Sequence, residues 1–295
     1  MKISFAGLGK MGAPIAMNLA KGGDELTVFD INESNLAKFS GLKNVKTTGN
    51  TDDICEAGVI FLCLPNGDIV KKTALGKNGL ISKMKKGAVL ADLSTISWKA
   101  AMDVAEGCAE TGIEFMDCPI SGMEARAIDG TLTVMCGGKE ETFRRIEPLL
   151  KMIGTNILYM GKNGAGQLTK LINQLLFDIN AAAIAEVVPM AALMGLDPEK
   201  TASVINSGTG RSYASEFFLP RALEGNFSEG YAMKNAYKDL VSAAEISASQ
   251  SIPMPVLAAA TATYQQALRS GYGELGKGAM IKVFEKLLGT EFRKG

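Results

Sequence analysis

The chain has 295 residues, 31 basic and 31 acidic side chains, a formal net charge of zero and 47% hydrophobic residues. That balance is ordinary for a globular protein and gives no electrostatic reason to propose nucleic acid or an acidic membrane as a partner. Histidine is absent, which removes the usual proton carrier at neutral pH, and the length suggests two domains.

The first stretch, "KISFAGLGKMGAPIAMNLAKGG", opens with an apolar strand over residues 2–6 and passes directly into Gly7-x-Gly9-x-x-Gly12. Ile15 and Leu19 then fall at helical spacing until Gly22-Gly23 ends the pattern. A second strand, "ELTVFD", ends in Asp30, 18 residues after Gly12. Glycines at this spacing allow a tight turn, a close approach of pyrophosphate to the backbone, and close packing of helix on strand. The helix N-terminus adds free amides and a positive dipole end. Strand, glycine turn, helix and a later acid together are what a dinucleotide fingerprint requires. Gly7, Leu8, Gly9, Lys10, Met11 and Gly12 are therefore candidate cofactor residues. Asp30 suits the ribose hydroxyls and repels a 2′-phosphate, and "INESN" behind it supplies no arginine. NAD is favoured, with NADP possible.

The alternation continues with "VIFLCLP" (59–65) and "AVLADLST" (88–95), short apolar runs suited to strands buried on both faces. Their ends, Leu64-Pro65-Asn66 and Ser94-Thr95, fall at the edge where open α/β sheets bind ligands. "IEFMD" (113–117) and "TLTVMCGG" (131–138) read as two more strands. The stretch between them, "DCPISGMEARAIDG", is too long for a tight turn and reads as a functional loop.

After Tyr159-Met160-Gly161 the strand pattern stops. Residues 166–194 read as one long helix with an apolar stripe of Leu168, Leu171, Ile172, Leu175, Leu176, Ile179 and Ala183. Pro189 should kink it or mark an irregular end. "DPEKTASVINSG", "KNAYKDLVSAAEISASQ" and "PMPVLAAATATYQQALRSG" are further helices. The expected architecture is α/β: a doubly wound Rossmann domain over 1–163, then an all-helical domain over 164–295, joined by a long interdomain helix. The five cysteines (55, 63, 108, 118, 136) lack metal-ligand spacing and read as reduced thiols, with no metal site. The apolar run before Lys10 is too short for a secretory signal. The run 179–194 is interrupted by Asn180, Glu186 and Pro189, and is shorter than the roughly 20 residues that span a bilayer. A cytoplasmic protein is expected.

Between Lys162 and Glu199 the only charges are Lys170, Asp178, Glu186 and Asp197. A lysine in so apolar a segment either snorkels to water or has a function, because burying an ammonium without a partner is expensive. Lys170 and Asn173 share a helix face, continued by Gln174 and Phe177. Elimination favours function. Composition excludes a histidine acid/base. None of the six tyrosines has a lysine four residues on, and no zinc-ligand cluster exists. In a hydride-transfer enzyme lysine is then the best remaining proton donor, since desolvation lowers a lysine's pKa toward the working range.

Four ordered motifs, "GLGKMGAPIAMNL", "DCPISG" (117–122), "GAGQLTKLINQ" (164–174) and "KDL" (238–240), span the chain. In these it resembles the β-hydroxyacid dehydrogenase family, which includes 3-hydroxyisobutyrate dehydrogenase and tartronate semialdehyde reductase. The resemblance implies reversible oxidation of a small 3-hydroxy acid to its semialdehyde with NAD(P), and Lys170 as catalytic acid/base. It implies that Ser121 and Gly122 grip the substrate carboxylate, with Met123 beside them. Asn173, with Gln174 beside it, would help hold the substrate. Thr95 and Lys238 would lie by the cofactor, and Leu64 and Pro65 would line its site next to Asn66. A homo-oligomer, dimer or tetramer, is also implied.

Two departures bear on the substrate. Met123 stands where the family usually has a second glycine, and a positive φ there would strain it. Lys234 stands where many relatives carry an acid. Arg211, in "SGTGRSYA" (207–214), or Arg126 either pairs with a second anionic group on a larger substrate, such as a dicarboxylate or sulfonate semialdehyde, or is a surface or subunit-contact arginine. The alternatives are a non-catalytic dinucleotide-binding protein, an imine reductase, which normally replaces this lysine, and a 6-phosphogluconate dehydrogenase, whose lysine motif carries a histidine that this chain lacks.

Overall fold

The computed structural model describes residues 2–295, and the chain divides into two compact units, one ending at Lys170 and one beginning at Leu171. The first unit runs β1 (Lys2–Ala6), α1 (Gly12–Lys21), β2 (Glu25–Phe29), α2 (Glu33–Leu36), β3 (Val45–Thr48), β4 (Val59–Leu62), α3 (Gly67–Leu75) and β5 (Val89–Asp92). It continues with α4 (Trp98–Thr111), β6 (Glu114–Asp117), β7 (Ile120–Ser121), α5 (Met123–Asp129), β8 (Leu132–Gly137), α6 (Glu140–Leu150) and β9 (Gly154–Gly161). Helix α7 (Ala165–Leu193) begins in this unit and continues into the second.

The sheet has the order β3-β2-β1-β4-β5-β6-β8-β7, with β9 on β8. From β3 to β6 neighbouring strands are parallel, and β6 and β7 run antiparallel to β8. Chain order reverses between β1 and β4, which opens a crevice at the carboxyl ends of those strands. All four residues of β4 and of β5 are buried. The pleat sends Val59 and Phe61 into one apolar core and Ile60 and Leu62 into the other, as a sheet covered on both faces requires.

The stretch 117–130 is not a loop. It holds β7 and the two-turn helix α5, and β7 continues the line of β6 along β8, with Ser121 opposite Thr133.

Helix α7 also departs from expectation. Leu171 is buried, but Leu168, Ile172, Leu176 and Ala183 of the expected stripe are exposed, and Leu175 and Ile179 are half-buried. The buried side carries Gln167, Lys170, Asp178, Ala181, Ala182, Ala185 and Val188 instead. A helix apolar almost all round gives no contrast from which to choose its inner face. Pro189 does not end it, and the helix runs on to Leu193. Over Ala165–Leu193 it is long and apolar enough by length and composition to cross a bilayer, unlike the run 179–194 alone.

The second unit is helical: α8 (Pro198–Ser207), α9 (Tyr213–Leu223), α10 (Met233–Gln250), α11 (Pro255–Arg269) and α12 (Ile281–Leu288). Asp197 caps α8 by accepting from the Lys200 amide at 3.0 Å, with Pro198 at the first helical position. Phe218, Leu219, Leu240, Tyr264 and Ile281 meet Ala181, Ala185 and Val188 of α7 in one core.

Inside that core lies an ion pair. Lys277 donates to Asp178 Oδ1, and the Tyr264 hydroxyl donates to the same oxygen at 3.1 Å. The Lys277 ammonium also sits 4.1 Å from the Phe177 ring centroid. Lys277 is 1% exposed and Asp178 wholly buried. Asp178 Oδ2 has no hydrogen bond among the described residues. Burial pushes the Asp178 carboxyl above its ordinary range, more than Lys277 and Tyr264 draw it down, and the charge of Asp239 adds to the rise.

Candidate active site

At the switch point two of the three fingerprint glycines are required by the packing of the fold itself. Gly7 has φ +97°, and a Cβ on it would stand 2.3 Å from the Cys63 carbonyl oxygen on the neighbouring strand end. A Cβ on Gly12 would stand 1.8 Å from the Gly7 carbonyl oxygen. Only Gly9 faces open space, with nothing within 4 Å of where its Cβ would be. A side chain on Gly9 would fill that space, so the cradle fits a pyrophosphate laid against bare backbone. Helix α1 begins without a side-chain cap and without an acid in its first turn, so no carboxylate there opposes an anion at the positive end of its dipole.

Asp30 follows β2 and is buried beside the turn. Its Oδ2 accepts from the Leu8 amide at 2.6 Å and its Oδ1 from the Asn32 amide at 2.8 Å. It braces the glycine turn while keeping further lone pairs for ribose hydroxyls. Lys10 is exposed, as are Pro65 and Asn66, and Leu64 is half-buried. Asn66 caps α3 by accepting from the Ile69 amide at 3.0 Å. The Leu64 amide donates to Ser94 Oγ at 2.8 Å, and this places the β4 end beside Ser94 and the half-buried Thr95.

The start of α7 is fastened to the same edge. Asp117, the last residue of β6, accepts from the Gly164 amide at 2.7 Å on Oδ1 and from the Gln167 amide at 2.9 Å on Oδ2. Gln167 is buried and grips the segment after β5 at two points. Its Nε2 donates to the Ser94 carbonyl at 2.7 Å, and its Oε1 accepts from the Ile96 amide at 3.2 Å. A Cβ on Gly166 would lie 2.5 Å from the Asp117 carbonyl oxygen, so only glycine allows α7 to sit this close. Lys170 stands one turn beyond Gln167 and is 8% exposed. Its stem does not snorkel to water.

Asp92 pairs in register with Asp117 across the parallel strands β5 and β6, so the two carboxyls leave the sheet on the same face. Asp92 Oδ1 accepts from the Ser94 amide at 2.9 Å, while Oδ2 has no hydrogen bond among the described residues. Burial pushes Asp92 up to about 7 against the hydrogen bonds from Ser94, with the Asp117 charge adding to the rise. Burial pushes Asp117 up to about 6 against the amides of Gln167, Gly164 and Gly166. An acid raised in the folded state binds a proton there that the unfolded chain has released. Stability therefore falls as pH rises from about 4 to about 7 and levels off above. Asp92→Asn imitates the protonated form and should flatten that slope. At about 1.4 kcal/mol per unit, discounted for relaxation of the site, it should gain on the order of 2 kcal/mol at pH 8 and almost nothing at pH 4. Urea melts at the two pH values measure it, and equal effects at both would contradict the carboxyl's raised affinity.

Ser121 and Gly122 close β7. Gly122 has φ +145°, and the Arg126 stem lies across it: a Cβ on Gly122 would meet Arg126 Cδ at 2.7 Å. Met123 has φ +60°, one of two non-glycine residues at positive φ among those described, and is 56% exposed. The strain expected of methionine in place of glycine is therefore present. Left-handed backbone in a residue with a Cβ costs about 1–2 kcal/mol, so Met123→Gly should raise thermal stability by about 1 kcal/mol after the added unfolded-state entropy of glycine is deducted. An unchanged or lowered melting midpoint would show that contacts of the methionine outweigh the strain.

The remaining predicted residues belong to the second unit. Asn173 is exposed and Gln174 half-buried on α7, and Lys238 is exposed on α10. Arg211 precedes α9, and its Nε pairs with Glu216 Oε1 at 2.5 Å, so the side chain expected to await a second anion already has one. Lys234 pairs with Glu274 at 2.7 Å on the surface. Sequence reasoning missed Asp92, Asp117 and Gln167 as parts of the site. Two of them stood inside quoted motifs, but their partners are distant in sequence.

A dinucleotide cradle at a sheet switch point, with a buried lysine one turn into a helix pinned to the same edge, defines a nicotinamide-dependent oxidoreductase. Residues 2–161 match the family described as the NAD binding domain of 6-phosphogluconate dehydrogenase. Residues 164–284 match the one described as NAD-binding of NADP-dependent 3-hydroxyisobutyrate dehydrogenase. The chain is 36% identical to 2-(hydroxymethyl)glutarate dehydrogenase of Eubacterium barkeri, over 100% of this chain and 98% of that one. It is 31% identical to 2-hydroxy-3-oxopropionate reductase of Escherichia coli, over 97% of each. Among solved structures, a Mycobacterium tuberculosis 3-hydroxyisobutyrate dehydrogenase with L-serine superposes with a TM-score of 0.85 at 28% identity, over 95% of this chain and 98% of that one. The chain belongs to the β-hydroxyacid dehydrogenase family. It is an NAD(P)-dependent enzyme that moves hydride between its cofactor and a small hydroxy acid or the corresponding semialdehyde.

Proposed function

We propose that the chain interconverts a 3-hydroxy acid bearing a second anionic group with its semialdehyde, prefers NAD, and uses Lys170 as the acid/base. The observation that carries the reading is the burial of Lys170 one turn into a helix whose start is fastened to the cofactor edge of the sheet. Gly7–Gly12 would receive the pyrophosphate and Asp30 the adenosine ribose, and Leu64, Pro65, Asn66, Thr95 and Lys238 would flank the rest. The bound dinucleotide supplies a nicotinamide carbon that accepts or returns hydride. Lys170 takes the hydroxyl proton in the oxidation direction and gives it to the carbonyl oxygen in the reverse direction. Ser121 and Gly122 hold the carboxylate, with Asn173 and Gln174 orienting the substrate.

Similarity over the whole chain to an enzyme named for a dicarboxylate supports the second anionic group. With Arg211 engaged by Glu216, Arg126 is the better candidate to meet it, since its stem crosses Gly122. An exposed apolar row on α7, Leu176, Val187 and Met190, continued by Met194 just past its end, supports a homo-oligomer, a dimer or tetramer. Five free thiols suit a cytoplasmic enzyme.

A panel of 3-hydroxyisobutyrate, glycerate, 4-hydroxybutyrate, 2-hydroxymethylglutarate and sulfonated analogues, assayed with NAD and NADP, tests this reading. The highest kcat/KM is expected with a dianionic substrate and NAD, and Arg126→Ala should depress that value alone. Equal loss on monoanionic and dianionic substrates would remove Arg126 from the role, and preference for a monoanion would overturn the substrate class.

A further inference from the structure

We propose that Gln167 and Asp117 are positioning residues of the reaction, fixing the first turn of α7 against the carboxyl ends of β5 and β6 and thereby setting Lys170 relative to the Ser94–Ile96 segment. The inference rests on the reading of Lys170 as the acid/base and adds what holds it in place. All the groups involved lie in the first unit.

Gln167 acts as a short piece of sheet edge. Its amide donates to Ser94 and accepts from Ile96, the two residues on either side of Thr95. Thr95 is thus held between two bonds to one side chain, and that side chain is one helical turn from Lys170. Asp117 fixes the other end of the same turn through the amides of Gly164 and Gln167. A carboxylate at a helix N-terminus also complements the dipole. Trp98, the only tryptophan of the chain, packs here as well, since a Cβ on Gly164 would lie 2.6 Å from its Nε1. A proton donor on a helix keeps its reach only if the helix start is fixed, and misplacement by about 1 Å costs on the order of 10² in rate.

Gln167→Met keeps the length of the side chain and removes both hydrogen-bonding groups. With the best hydroxy acid of the panel, kcat per NADH-binding site should fall roughly 10- to 100-fold, while KM for the acid and Kd for NADH change less than about threefold. The isotope effect on kcat with the hydroxy acid deuterated at its carbinol carbon should rise, because hydride transfer becomes the slow step. Asp117→Asn retains one acceptor for two amides. It should move turnover the same way and shift the Trp98 emission. Normal turnover per site in Gln167→Met, or a loss confined to the number of NADH-binding sites, overturns the proposal. If that variant does not fold, Gln167→Glu, which keeps the acceptor for Ile96 and loses the donor to Ser94, is read by the same criteria. Lys170→Ala run beside them separates the two ideas. An inactive Lys170→Ala with a normal Gln167→Met removes only the clamp, whereas a normal Lys170→Ala removes the lysine assignment itself.

Discussion

Lys170→Ala is expected to retain cofactor binding and to lose roughly 10² to 10⁴-fold in turnover. The cradle at Gly7–Gly12, Asp30 and the Leu64 strand end is built from other elements, so titration with NADH should give a near-normal dissociation constant. The proton, by contrast, has few other carriers. The chain has no histidine, and no group of three or more histidine, cysteine or acidic side chains among the described residues is arranged to hold a metal ion. Of the raised carboxyls, Asp117 is committed to the α7 amides through both oxygens, and Asp92 to Ser94 through Oδ1. Near-normal turnover in Lys170→Ala would refute the assignment and point to another acid, with the raised Asp92 carboxyl the first to test.

Lys277→Met should be the most destabilising single change outside the active site. Removing one member of a buried ion pair leaves the other charge uncompensated, at about 3–5 kcal/mol. Asp178 would then keep only the Tyr264 hydroxyl on Oδ1 and nothing among the described residues on Oδ2. Its carboxyl is already raised by burial, so protonation would relieve part of the loss, and the variant should be less impaired at pH 5 than at pH 8. The double change Asp178→Leu with Lys277→Met replaces the pair by apolar volume and should recover most of the stability. Denaturant melts of the single and double variants close the cycle. A double variant no more stable than Lys277→Met would show that the lysine stem, packed on Phe177, matters more than its charge.

The fold was legible where the signal is local. The strand, glycine turn, helix and second strand of the first 30 residues follow from spacing and steric need, and Gly7 and Gly12 each show a separate reason for lacking a side chain. Helix α8 announced itself through Asp197 and Pro198. What escaped depends on partners far along the chain. Asp117 caps a helix start 47 residues on, and Gln167 reaches back 73 residues to Ser94. Neither distance leaves a trace in periodicity. Helix α5 was mistaken for a loop because seven residues beginning with a left-handed methionine show no repeating apolar face. Lys277 stands in a glycine-rich stretch where nothing local marks its ion pair with Asp178, 99 residues away. The inner face of α7 was read only in part, because a helix apolar almost all round offers no contrast and its buried side also carries the polar Gln167 and Asp178.

The central claim is that Lys170 moves a proton rather than merely placing a positive charge beside the reacting oxygen. Lys170→Arg separates the two, since a guanidinium keeps the charge and does not release its proton in this pH range. The account predicts kcat/KM for Lys170→Arg as low as that of Lys170→Ala on the preferred hydroxy acid. Activity near that of the unaltered enzyme would contradict it.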